Sequence, residues 1–258
     1  MNVKLSIITI NRNNAAGLRK TIESVVSQTF TDFEYIVIDG ASTDDSVEII
    51  TQYAKNFVKE WFYRVSEPDR GIYNAMNKGI RQAKGKYCLF LNSGDYFVDK
   101  YVLEKASVLN FDEDIIYGEQ LVEKNGNFYK CSFLDPEHIT FRSFINSTLP
   151  HQCTFIKRTL FDLAGFYNEN NKIVSDWEFN MLALFKYNCS LQKINIPISV
   201  YDTNGISSNQ EIIIEYKEEK RAVLYRHFPR IMKDIEAVER FEKSKLYKFC
   251  KIIKSMVR

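Results

Sequence analysis

Residues 33–46 read FEYIVIDGASTDDS. Phe33 to Asp39 form a short run of apolar and β-branched residues, the pattern of a buried strand. The run stops at DGASTDD, a cluster of small and acidic residues suited to a loop. Val47, Ile50, Ala54 and Phe57 then recur at helical spacing. The same strand, polar loop and helix occur on either side of this stretch. Before it, Val3 to Ile10 lead through NRNN into a segment with Leu18, Ile22, Val25 and Val26 on one face. After it, Trp61 to Ser66 lead through EPDRG into a helix carrying Ile72, Ala75, Met76, Ile80 and Ala83. A fourth apolar strand, Lys86 to Leu91, ends in the turn NSGD. Strands alternating with helices through short loops predict an α/β, Rossmann-like sheet, mainly parallel and flanked by helices. Ligands bind such sheets at the carboxyl ends of the strands, which is where NRNN, DGASTDD, EPDRG and NSGD fall.

Past residue 100 the pattern changes. DIIYGEQLVE and NFYKCSF flank KNG, an Asn-Gly hairpin signal that points to antiparallel or mixed pairing. A helix is expected over Ser175–Tyr187 and a strand over Leu191–Tyr201, followed by the polar loop DTNGISSNQ. Helices are expected beyond Glu211, with Pro229 separating two of them. The expected division is a domain over 1–210, its halves 1–98 and 99–210, with a C-terminal helical extension over 211–258.

Hydrophobic residues make up 45% of the 258 and charged residues 26%, which fits a globular chain and argues against dominant disorder. A net charge of +2 gives no compositional basis for nucleic-acid binding. The five cysteines are scattered without a CxxC pair, so neither a disulfide framework nor a zinc site is expected. There is no secretory signal pattern and no run of about 18 apolar residues. A cytoplasmic location is therefore expected.

Each acidic turn alone is weak evidence, but their order and spacing resemble the family 2 glycosyltransferases of the GT-A fold, over roughly residues 3 to 208. SIITINRNN resembles that family's opening strand and loop, which implies that Thr9, Asn11 and Asn13 line the base and ribose of a nucleotide. VIDGASTDDS is similar to its VDDGSTD signature, implying that Asp39 accepts a hydrogen bond from the nucleobase, while Asp44 caps the next helix. SEPDRGIYNAMNKGI resembles its NxGxxxARNxGI stretch through Gly71, Ala75, Asn77 and Gly79. There Asp69 and Arg70 would face nucleoside and diphosphate, with Asn77 beside them, and Met76 replaces the usual arginine and is expected in the core. FLNSGD stands where the family carries its LDxDD-type metal motif, so the resemblance implies a divalent metal, Mn2+ or Mg2+, on Asp95 with Asn92. VSDWEFN is similar to the late acidic motif that supplies the catalytic base, implying Asp176 in that role with Glu178 as alternate. Trp177 is read as acceptor platform or core, and His151 in LPHQCTF as a donor or acceptor contact. Ser207, in the NGISS loop, would close over the diphosphate.

The activity implied is inverting transfer of a sugar from a nucleoside diphosphate sugar to an acceptor hydroxyl. FLNSGD turns resemble those of the family branch that builds bacterial surface polysaccharides, so a sugar or lipid-linked sugar is the expected acceptor. A basic amphipathic segment, EKSKLYKFCKIIKSMVR, either contacts the inner face of the cell membrane or packs on the domain. Two alternatives stand beside this reading. A non-catalytic nucleotide-sugar binder would fit the depleted acidic motif but not the retention of Asp95 and Asp176. A sugar nucleotidyltransferase would want a glycine-rich basic loop where this chain has NRNNAAG.

Overall fold

The computed structural model describes residues 4–108, 112–202, 213–244 and 247. Ser207 with the rest of its loop, and the basic tail beyond Ser244 apart from Tyr247, lie outside the described residues. The chain divides into two compact units, Met1–Glu211 and Ile212–Arg258.

In the first unit the strands are β1 (Leu5–Asn11), β2 (Phe33–Asp39), β3 (Phe62–Ser66), β4 (Tyr87–Phe90), β5 (Tyr96–Phe97), β6 (Ile115–Lys124), β7 (Asn127–Lys130), β8 (Thr154–Lys157) and β9 (Leu191–Tyr201). The helices are α1 (Ala15–Val26), α2 (Ser46–Tyr53), α3 (Ile72–Gln82), α4 (Val102–Ser107), α5 (Phe141–Ile145), α6 (Leu160–Ala164) and α7 (Ser175–Phe185). One mixed sheet runs β3-β2-β1-β4-β8-β6-β9-β5, with β7 hydrogen-bonded to β6. Strands β1 to β4 form the parallel block expected from the alternation of strands and helices, and β1 is buried along its whole length. At β4 the pairing turns antiparallel, to β8 and then β6, while β9 runs parallel to β6. Asn125 and Gly126 both take positive φ in the tight β6–β7 turn, as the Asn-Gly pair predicts.

Helix α1 buries Leu18, Ile22 and Val25, and Asn14 caps it by accepting from the Gly17 N–H at 3.1 Å. Helix α2 departs from the expected face. It buries Ile49 and Ile50 and leaves Val47 38% exposed, because two adjacent isoleucines bury more apolar area than one valine. The helix ends at Tyr53, and Phe57 stacks on Phe62 with ring centroids 4.8 Å apart. Met76 is core, 2% exposed.

Helix α3 lies directly on β1 because Gly79 has no side chain. A Cβ there would sit 2.5 Å from Ile8 Cγ2. Gly79→Ala is expected to destabilise the fold by about 1–3 kcal/mol through overpacking, measured as a lower denaturation midpoint with unchanged slope.

The second unit holds α8 (Ile213–His227) and α9 (Pro229–Lys243), with Pro229 at the start of α9 as its fixed φ favours. Arg221 and Tyr225 of α8 both reach Glu236 of α9. Among the described residues no helix is long and apolar enough to cross a membrane, and Cys88, Cys131, Cys153 and Cys189 are free.

Candidate active site

The loops after β1, β2 and β3 meet at the carboxyl end of the parallel block. Asp39 is fully buried. Its Oδ1 accepts from Asn11 Nδ2 at 2.8 Å and Ser42 Oγ at 2.5 Å, and its Oδ2 accepts from the Ser42 N–H at 2.9 Å and Ser66 Oγ at 2.6 Å. Burial opposes the charge, but these donors outweigh it and hold the carboxyl below the usual aspartate range. Asp39 thus organises the loop, with its acceptor capacity already met by protein donors. Asn13 does the same from the other side. Its N–H donates to Ser42 Oγ and its Oδ1 accepts from the Thr43 N–H, each at 2.8 Å. Asn13 and Ala41 hold left-handed φ values of 50° and 55°, the kind of backbone strain found at ligand loops. Asp44 accepts from the Ser46 N–H at the start of α2 and also from the Ala15 N–H at the start of α1, so it joins two helix ends. Above Gly40 the space a Cβ would fill is taken by Asp69 Oδ2, with the Arg12 stem alongside.

The NSGD turn is held from α1. The Thr21 hydroxyl accepts from the Gly94 N–H at 3.0 Å and donates to the Asp95 carbonyl at 2.7 Å. Gly94 takes φ 107°, and Asp202 Oδ2 would stand 2.5 Å from a Cβ there. Asp95 is 5% exposed, and its Oδ1 accepts from the Asp202 N–H at 3.0 Å. Burial, aided by the neighbouring Asp202 charge, raises its pKa to about 6 against the opposing influence of His151 and the Asp202 N–H. Asn92 Nδ2 lies 3.2 Å from His151 Nε2, while Asn92 Oδ1 is buried without a hydrogen-bond partner. A buried, under-compensated carboxyl beside a second carboxylate and an orphaned carbonyl oxygen is a donor set that fits a hard divalent cation.

Asp176 lies in the first turn of α7, where the helix dipole favours its charge. Its Oδ2 is 3.7 Å from His151 Nδ1, and its Oδ1 accepts from the Tyr73 hydroxyl at 3.1 Å. Burial works against ionisation, but His151, the Trp177 N–H and Tyr73 outweigh it, so the pKa falls below the ordinary value. His151 responds in kind: burial would lower its pKa, and the charges of Asp176 and Asp95 raise it instead. His151 therefore links the candidate base to the Asn92–Asp95 turn.

Four expected contacts turn inward. Thr9 is fully buried, donating to the Leu91 carbonyl at 2.7 Å and accepting from Tyr35 at 2.9 Å, because β1 is covered on both faces. Asn77, 1% exposed, exchanges hydrogen bonds with the Tyr167 backbone, Nδ2 donating to its carbonyl and Oδ1 accepting from its N–H. Trp177 is 1% exposed and donates to the Phe144 carbonyl at 3.2 Å, which makes it core and not a platform. Glu178 is buried and accepts from Asn168 and Asn171, so it braces the preceding loop.

Sequence reading missed Asp202, Tyr73, Thr21 and Glu169. Glu169 gathers Arg70 at 2.7 Å, Asn74 at 2.8 Å and Asn77 at 3.0 Å. The Arg70 hydrogen bond is the main influence that brings its pKa to about 2. A depressed carboxylate stabilises the fold above its unfolded pKa and loses that contribution as pH falls toward the folded value. The expected result is a stability difference between the native chain and Glu169→Gln that is full above about pH 5 and vanishes by about pH 2, read from melting temperatures across that window.

Two other features lie apart. A cavity of about 270 Å³, lined by Leu5, Phe30, Tyr87, Leu103 and Phe155 among others, opens at the opposite end of the strands. Asp135, Glu137 and His138 form an exposed trio, but Asp135 already pairs with Lys193 at 2.6 Å.

Comparison with known proteins places the chain in a family. The sequence profile of the family described as "Glycosyl transferase family 2" matches residues 6–162. A PGL/p-HBAD biosynthesis glycosyltransferase of Mycobacterium bovis is 28% identical over 214 residues, covering 82% of this chain and 81% of that protein. A Mycobacterium tuberculosis protein described as an uncharacterized glycosyltransferase is 31% identical over 238 residues, covering 87% and 85%. In fold, the chain is similar to S. aureus TarS 1–349 in complex with UDP-GlcNAc, with a TM-score of 0.62 and 19% identity. That match covers 77% of this chain and 58% of TarS 1–349. It is also similar to the mannosyltransferase PcManGT from Pyrobaculum calidifontis in complex with GDP-Man and Mn2+, with a TM-score of 0.60, 14% identity, and coverage of 89% and 64%. The fold is GT-A, and the chain is a glycosyltransferase that belongs to glycosyl transferase family 2.

Proposed function

We propose that the chain transfers a sugar, with inversion at the anomeric carbon, from a nucleoside diphosphate sugar to an acceptor hydroxyl in building a bacterial surface polysaccharide. One observation carries this reading. His151 stands between Asp176 and Asn92, so the candidate base and the candidate diphosphate-facing turn are one side chain apart. The nucleoside would lie beside Arg12 and Asp69, next to the loop that Asp39, Asn11 and Asn13 make rigid. Arg70, its side chain 80% exposed beside Glu169, is the cation available to the diphosphate.

Asp95, Asp202 and the Asn92 carbonyl oxygen are the residues that would hold a divalent ion. When bound, such an ion neutralises charge on the leaving diphosphate. Asp176 takes the proton of the attacking hydroxyl, and His151 and Tyr73 keep its carboxylate oriented and ionised. Asp95 is buried and the Asp176 side chain is 20% exposed, so bulk water screens these charges only in part.

The test is thermal stabilisation by UDP and GDP with and without Mn2+. Binding to the folded state raises the melting temperature by linkage, so a metal-dependent rise supports the reading, and no response to either nucleotide opposes it. A lipid-linked acceptor and membrane contact through the basic tail form part of the proposal. Equal sedimentation of full-length and tail-truncated chains with anionic vesicles would remove that part.

A further inference from the structure

Tyr73 is not required by the nucleotide contacts, yet it is the described side chain of the nucleotide half that touches the candidate base. It lies on α3, two residues after Gly71, and is 4% exposed. We propose that Tyr73 is a positioning residue, holding the Asp176 carboxylate for proton transfer from the acceptor and tying its orientation to the helix that follows Asp69 and Arg70. The inference rests on Asp176 being the base.

Three observations carry it. The hydroxyl donates to Asp176 Oδ1 at 3.1 Å, while Oδ2 faces His151, so each oxygen is fixed by a different element of the fold. The Tyr73 ring cannot easily swing away. It packs on Tyr167 with centroids 5.8 Å apart, and Tyr167 in turn packs on Phe90, Phe161 and Phe179 at 5.5, 5.7 and 5.6 Å. Phe179 is on α7, one turn from Asp176, so one aromatic cluster locates both donor and acceptor of the hydrogen bond. Finally, α3 is clasped to the segment before α7. Asn77 bonds both backbone groups of Tyr167, and Asn74 and Asn77 both donate to Glu169, which also holds Arg70. A shift of Arg70 toward a diphosphate would therefore act on the same helix that orients the base. A well-packed scaffold of this kind is what preorganised catalysis needs.

The experiment compares the full-length native chain, Tyr73→Phe and Asp176→Asn in Mn2+-dependent hydrolysis of UDP-GlcNAc or GDP-mannose, whichever the native chain turns over, across pH. The phenylalanine keeps the ring packing and deletes the hydrogen bond. Loss of a hydrogen bond to a charged group corresponds to about ten- to one-hundredfold in kcat, with donor KM within about twofold and the melting temperature retained. The acid limb of the rate profile should move to higher pH, since a donor that stabilises the carboxylate has gone. The other groups facing Asp176, namely His151, the Trp177 N–H and Tyr167, with Asp95 beyond His151, are unchanged in this variant. Native kcat and an unmoved acid limb in Tyr73→Phe, with Asp176→Asn inactive, would overturn the inference alone. A loss expressed only in donor KM or in melting temperature would overturn it in favour of a packing role. Full activity in Asp176→Asn would overturn the assignment of the base itself.

Discussion

Asp176→Asn is expected to lower sugar transfer by about 10²–10⁴-fold, the range contributed by a positioned general base, while nucleotide binding is retained. The asparagine keeps the size of the side chain and its contact with the Tyr73 hydroxyl, but it cannot take a proton. It sits in the first turn of α7 and its side chain contacts Tyr73 and His151, apart from the loop residues proposed to hold the nucleoside. The loss should therefore fall on kcat, leaving donor KM close to native, and steady-state kinetics with a UDP- or GDP-sugar separates the two. The pH profile gives a second check. The Asp176 pKa lies below the ordinary aspartate value, so the native enzyme should keep its base ionised well into the acid range.

The second large effect is expected from Asp95→Asn, and its sign on stability is opposite to its sign on activity. Burial raises the Asp95 pKa to about 6. A raised carboxyl pKa means that the ionised group costs stability, a cost that grows as pH rises through the interval between the unfolded and folded values and is complete above it. Removing the charge should then leave the ligand-free protein at least as stable at neutral pH, or raise its melting temperature. Turnover should fall by about 10²–10³-fold, the usual loss of one electrostatic group at the reacting centre. Added Mn2+ should also no longer increase the stabilisation given by nucleotide. Thermal melts with and without Mn2+, alongside rates, distinguish this from general misfolding, which would lower all three.

The parallel half was readable because β1, β2 and β4, buried nearly throughout, appear as largely apolar runs, and its helices as 3.6-residue periodicities. The strand expected over Leu191–Tyr201 has those bounds in the structure, and KNG marks the β6–β7 turn. Two-residue β5 and the five- and six-residue helices α4, α5 and α6 are too short to carry a period.

The site divides in the same way. Acidic loops at strand ends announce themselves, whereas Tyr73 and Asp202 gain their meaning from partners 103 and 107 residues away. No local spacing encodes such a pair. Thr9, Asn77, Trp177 and Glu178 illustrate the converse. Each sits in a segment that carries a candidate site residue, but whether a polar side chain points to ligand or to a buried group is decided by packing from elsewhere in the chain. Asp39 shows a third case, in which a carboxylate singled out by its loop is consumed by the hydroxyls and amides of the loops it joins.

The most direct test of the central claim is release of nucleoside diphosphate from a panel of sugar nucleotides, including UDP-GlcNAc and GDP-mannose, by the full-length chain with Mn2+ or Mg2+. The account predicts release with at least one donor, dependent on the cation, accelerated by a glycoside acceptor and lost in Asp176→Asn. Nucleotide binding without release from any donor, or release unaffected by Asp176→Asn, would contradict it.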